Sequence, residues 1–163
     1  IVIEPLIHGG KSWTKDRSGT PATALIVSMA KALRLAYENL DEKIKKVTEY
    51  NDYLRKELEK NRITINSPKT AIPHILNISI ENIKPETMLH ALEQEEIYVS
   101  TKTACSTSDI SKAVYAVTGQ SENASHSLRI SISHKTTQNE LEIFVKTLVK
   151  LRDELNSLYV KKD

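Results

Sequence analysis

One cysteine, four glycines and five prolines are all that 163 residues contain of these types. The lone thiol excludes an internal disulfide framework and suits a reducing compartment, so a cytoplasmic location is expected. Few glycines and prolines mean few breaks, and therefore long elements. No apolar run approaches the roughly 18 residues of a membrane span, so no membrane partner is expected. Neither sign of charge dominates: 23 Lys and Arg against 21 Asp and Glu leave +2. The small basic excess is spread along helix patterns and forms no stripe with interleaved aromatics, which argues against direct nucleic-acid binding. His74, His126 and His134 have no metal-ligand spacing with the cysteine, so no zinc site is expected. No internal repeat and no low-complexity segment occurs.

What is present fits one domain, long enough to bury about two thirds of its unfolded surface. Residues 1–20 are rich in turn formers. Pro21 then opens a helix whose Ala22, Leu25, Ile26, Met29, Leu33 and Ala36 recur at helical spacing. Asp41 suits the N-cap of a second helix, striped by Ile44, Val47, Leu54 and Leu58. Residues 62–66 and 74–80 alternate as strands. Pro85 starts a third helix that turns Met88, Leu89 and Leu92 inward, and "IYVST" reads as a short strand. A short helix over 111–118 ends at Gly119. Residues 127–133, "SLRISIS", form the clearest strand. Thr137 and Glu140 have capping-box spacing ahead of a last helix, striped by Leu141, Phe144, Val145, Leu148, Leu151 and Leu155. Few strands among several helices predict an α+β fold, with a small sheet covered by helices on one face.

Three places carry chemistry. Cys105 sits in "TACST", among hydroxyl residues of a wet loop composition. It is either a small apolar filler or a reactive thiol. An isolated thiol is only a few per cent ionised at neutral pH, so reactivity needs a positive neighbour or a cofactor; Lys102 is three residues away. Arg129 lies between Leu128 and Ile130, so if those face the core, Arg129 turns away with Ser131 and Ser133. It is either a surface strand arginine or a rigidly presented fork for a carboxylate. The third place is "HGGKSWTKDRSGT". Gly9-Gly10 and Ser18-Gly19-Thr20 expose backbone N–H groups, and Thr20 adds a hydroxyl just before a helix, a combination that favours anions such as phosphate.

Taken together and in order, these stretches resemble the C-terminal part of the pyridoxal-phosphate-dependent cysteine desulfurases, in class V of the aminotransferase-like enzymes. "HGGKSWTKDRSGT" keeps both ends of the family's early loop, followed by "HILNISI", "TACST", "AVYAVTG" and "SLRIS". Lys102 departs from the family, which has glycine there, and so does "KSWTK" at residues 11–15. The resemblance implies a mostly antiparallel small sheet preceded by a long helix, as in the small domain of a fold-type I enzyme. It implies that Cys105 is the nucleophile, taking sulfur from L-cysteine as a persulfide and releasing L-alanine. It gives Arg129 the substrate carboxylate, and Thr20 the phosphate of pyridoxal 5'-phosphate in the partner subunit of a homodimer. A sulfur-acceptor protein would follow, serving iron–sulfur cluster assembly or tRNA thiolation.

The Schiff-base lysine of that family belongs to a preceding large domain, and none of Lys11, Lys15 or Lys31 has its Ser-x-His-Lys context. Residues 1–3 read like the tail of a strand already under way. Residues 1–20 are therefore expected to continue from a large cofactor-binding domain, and residues 21–163 to form the small domain with its linking helix. A fragment of this kind neither holds the cofactor covalently nor turns over cysteine by itself. Two other readings fit the same residues: a selenocysteine lyase or other class V enzyme, and a non-catalytic dimerisation module.

Overall fold

The computed structural model describes residues 3–10, 16–101 and 110–160. The chain divides into two compact units, Ile1–Leu40 and Asp41–Asp163. Among the described residues no helix is long and apolar enough to cross a membrane.

In the first unit the glycines of the opening loop do what the sequence asks of them. Gly9, Gly10 and Gly19 all hold positive φ, at 129°, 61° and 109°, a region open to glycine at little cost. The Ser18 amide donates to the Ile7 carbonyl at 3.1 Å and closes the loop. Helix α1 (Thr23–Tyr37) starts two residues beyond Pro21, and its N-cap, Ala22, supplies no side-chain bond. The apolar stripe read from the helical spacing is present, but no α1 residue is buried, and Leu25 is 71 % exposed.

From Asp41 on, α2 (Leu40–Lys60) belongs to the second unit, and Asp41 falls inside its first turn and is not the cap. Its carboxylate still meets the positive end of the helix. Val47, Asn51, Leu54 and Leu58 form the buried stripe, while Ile44, expected inward, is exposed. Asn51 is tolerated there because its amide donates to the Pro73 carbonyl (3.0 Å) and accepts from Arg55 Nε (2.7 Å). Arg55 also donates to the carbonyls of Ser67 and Pro68, pinning the chain that follows.

Helix α2 ends in a Schellman turn. The Ile63 amide bonds the Leu58 carbonyl and the Arg62 amide bonds that of Glu59, with Ile63 and Leu58 both buried. Arg62 is left at φ 59°, which explains why the strand expected over 62–66 narrows to β1 (Thr64–Ile65). A β-carbon in this conformation is strained. Arg62→Gly is accordingly expected to stabilise the chain by about 1 kcal/mol. The denaturation midpoint should rise with no change in slope; an unchanged or lower midpoint would show that Arg62 is not strained.

Strands β2 (Ile75–Ser79) and β3 (Ser127–Ser131) complete a three-stranded antiparallel sheet in the order β1-β2-β3. Leu76, Ile78, Leu128 and Ile130 face the core and are buried, as the alternation requires. Against them pack α2, α3 (Pro85–Gln94) through Met88 and Leu92, and α6 (Gln138–Val160) through Leu141, Phe144, Val145 and Leu148. This is the α+β arrangement expected from the sequence. Pro85 stands at the start of α3. The capping box of α6 forms as its spacing predicts: Thr137 Oγ1 accepts from the Glu140 amide, and Glu140 accepts from the Thr137 amide at 2.7 Å. The Thr137 amide and then its hydroxyl, both donating to the Glu140 carboxylate, hold that carboxyl below its ordinary value.

The short helix expected over 111–118 is α4 (Lys112–Thr118), with Ser111 as its cap and left-handed Gly119 ending it as expected. A further one, α5 (Ser121–Ser125), was not foreseen. The expected strand "IYVST" reduces to one bridge, Ser100 to Arg129. Glu96, at φ 58°, closes α3 with a second Schellman turn just ahead of it.

Candidate active site

The face of the sheet turned away from the core carries Asn77 and Ser79 on β2 and Ser127 and Arg129 on β3. Arg129 is there because Leu128 and Ile130 claim the other face. Its backbone exchanges both hydrogen bonds with Ser100, and its Nη2 donates to Ser100 Oγ at 3.2 Å. Arg129 is half-buried. Its Nε is fully shielded from water and has no hydrogen-bond partner among the described residues. A guanidinium held this way keeps donors that the described residues do not use.

Asn77 is the direct cross-strand partner of Arg129. Bonds from Ile132 to His74 and from Ile80 to His126 put the even-numbered β2 residues in hydrogen-bonded pairs. Asn77 and Arg129 thus form a non-hydrogen-bonded pair, the kind in which side chains lie closest. The Asn77 backbone is tied to the turn after β1: its amide donates to Ser67 Oγ at 2.8 Å and its carbonyl accepts from the Asn66 amide at 2.9 Å. Asn66, buried, sends its side-chain amide to Asn77 Oδ1 (2.7 Å) and to Ser79 Oγ (2.6 Å).

Arg129, Asn77 and Asn66 line a cavity of about 250 Å³. Its apolar wall comes from Pro68 and Ile75 on one side and from Ala113, Val114 and Val117 of α4 on the other. Thr101 and Ser111 line it as well. These two residues bracket the stretch that contains Cys105, which itself lies outside the described residues, as do Lys102 and residues 11–15. Ser111 is anchored where its amide donates to the Ala124 carbonyl at 2.9 Å. Thr20 belongs to the first unit, where it is exposed just before Pro21. Among the described residues no cluster of His, Cys, Asp and Glu is able to hold a metal ion.

Arg129 was legible from the sequence; Asn66 and Asn77 were not. Asn77 has the same parity as Ser79 in "LNIS", and that parity was the available signal. The role of Asn66 depends on partners 11 and 13 residues away.

A small antiparallel sheet carries a strand-borne arginine at a cavity that Thr101 and Ser111 also line. Residues 8–144 match the model of the aminotransferase class-V family, and the chain belongs to that family. Among its relatives, a cysteine desulfurase IscS of Dictyoglomus turgidum is 33% identical over 161 residues, which is 96% of this chain and 41% of the relative. A cysteine desulfurase IscS of Clostridium botulinum is 31% identical over 169 residues, 98% of this chain and 43% of the relative. A solved NifS-like protein superposes with a TM-score of 0.76 at 30% identity, over 93% of this chain and 39% of that one. A NifS-like protein from Rickettsia africae gives 0.75 at 28% identity, over 94% and 41%. The chain thus spans about two fifths of the length of the curated relatives it matches.

Proposed function

We propose that this chain is the C-terminal part of a cysteine desulfurase, contributing the thiol that removes sulfur from L-cysteine. The observation that supports this most is the placement of Arg129. Its guanidinium lies on a rigid strand, at a cavity bordered by both residues that flank the cysteine-bearing stretch. A guanidinium fork suits the α-carboxylate of an amino acid. A substrate anchored there would present its sulfur to the thiol of Cys105, which lies between Thr101 and Ser111 in the sequence.

The Cys105 thiolate attacks the substrate sulfur and an S–S bond forms. The substrate's carbon–sulfur bond breaks, its electron pair stays on carbon and a proton replaces the sulfur. L-Cysteine and the free thiol become L-alanine and the enzyme persulfide, with no external oxidant or reductant. The persulfide then passes to an acceptor protein, for cluster assembly or tRNA thiolation.

Pyridoxal phosphate is the cofactor this reading calls for. When bound, it supplies the electron sink that loosens the carbon–sulfur bond. The residues here fit one end of it. Thr20 is exposed beside left-handed Gly19, at the foot of a helix with no side-chain cap, and offers a hydroxyl to a phosphate. In this reading the phosphate is held by the partner subunit of a homodimer. No lysine in the chain is assigned to the cofactor's carbonyl: Lys31 is an exposed residue of α1, and Lys11 and Lys15 lie outside the described residues.

The test is alanine release from L-cysteine, measured for this chain alone and for the longer protein that contains it. The longer protein should turn over and the chain alone should not. Turnover by the chain alone would refute the assignment of residues 21–163 as a small domain dependent on a preceding one. Faster release from selenocysteine than from cysteine would make the protein a selenocysteine lyase. No release from either substrate would leave the dimerisation module as the better reading.

A further inference from the structure

We infer that Asn77 is a second donor to the substrate carboxylate, held in its donating orientation by Asn66. The inference rests on the desulfurase reading for the identity of the ligand, and on proton counting for the orientation. Ser79 has a single hydroxyl proton, and it is given to the Asn123 carbonyl at 2.7 Å. Toward Asn66 the Ser79 oxygen then accepts, and Asn66 turns its NH2 to it, leaving Asn66 Oδ1 buried with no partner among the described residues. The same nitrogen reaches Asn77, which must answer with its oxygen. The Asn77 NH2 is thereby turned away from Asn66, and it has no hydrogen-bond partner among the described residues.

Asn77 stands directly across from Arg129, in the close kind of pair, and both line the same cavity. Two donor groups on adjacent strands, one charged and one neutral, match the two oxygens of a carboxylate. Arg129 supplies the charge and takes one oxygen; Asn77 takes the other. The chain of bonds from Asn123 through Ser79 and Asn66 fixes which end of the Asn77 amide is offered. Asn66 acts through Asn77 and is a positioning residue.

Asn77→Asp separates this role from a structural one. The oxygen that accepts from Asn66 remains, so the internal bond survives. The outward donor becomes an anion, set beside Arg129 and facing the incoming carboxylate. In the full-length holoprotein the KM for L-cysteine should rise about 10- to 100-fold, with kcat within about threefold of wild type. Equilibrium binding of L-alanine, followed by ligand-observed NMR, should weaken by the same factor. Inhibition by cysteamine, which lacks the carboxylate, should not change. Asn77→Ala should show the same selectivity with a smaller shift.

Equal weakening of L-alanine and cysteamine, or an unchanged L-alanine affinity, would overturn the inference. The L-alanine measurement needs no turnover. It decides the role of Asn77 even if wild type proves inactive toward cysteine, a result that would defeat the desulfurase reading instead.

Discussion

Cys105→Ser in the full-length holoprotein should lower alanine release from L-cysteine by a factor on the order of 10³ or more. Serine is close to cysteine in size, so folding is not what changes. The reacting atom is what changes. A thiol has an ordinary pKa near 8.5, and a few per cent of it is thiolate at neutral pH without help. A serine hydroxyl has no useful ionised fraction there, and its oxygen cannot take up sulfur as a persulfide. The wild-type protein, supplied with L-cysteine and no acceptor, should gain the mass of one sulfur atom on the peptide that contains Cys105; the variant should gain none. Alanine and sulfide release at the wild-type rate by the variant would rule out Cys105 as the nucleophile.

Arg129→Ala is expected to lower kcat/KM for L-cysteine by about 10- to 100-fold, mostly through KM. A hydrogen bond to a charged group contributes about 1.5–3 kcal/mol, and 1.4 kcal/mol is a factor of ten. Arg129→Lys keeps the charge and loses the planar fork, so its loss should be intermediate. Truncation also removes the bond to Ser100 Oγ, so some loss of stability accompanies it. Thermal midpoints measured alongside the kinetics separate the two effects. A variant that is destabilised yet keeps its KM would show that Arg129 only braces the sheet.

Those two residues stand out in the sequence for different reasons. Arg129 follows from alternation alone: three apolar residues at even spacing define the core face, and the arginine must lie opposite. Cys105 stood out by being solitary in a polar stretch, and its role came from resemblance to a family, not from its neighbours. Helices α3, α4 and α6 were equally legible, since each is fixed by a local signal: Pro85, Ser111 with Gly119, and Thr137 with Glu140.

What escaped was decided at a distance. Arg62 and Glu96 hold left-handed turns usually given to glycine, because burying Ile63 against Leu58 offsets the strain at Arg62. Asn51 occupies a core position because a carbonyl 22 residues away receives its amide. Asn66 and Ser79 are ordered by Asn123, which lies 44 residues beyond Ser79. No short window of the chain contains Asn51 with Pro73, or Ser79 with Asn123. The stripe on α1 misled in the opposite direction, since periodicity reports an apolar face but not what covers it.

The pairing between β2 and β3 has a consequence for how such a protein tolerates change. A shift of one residue along β3 would turn the guanidinium into the hydrocarbon interior and bring Leu128 or Ile130 out to the cavity. The alternation that makes the sheet fold is therefore also what aims the Arg129 guanidinium at the cavity. Mutations that loosen the interior, far from any ligand, should blunt recognition before they unfold the chain.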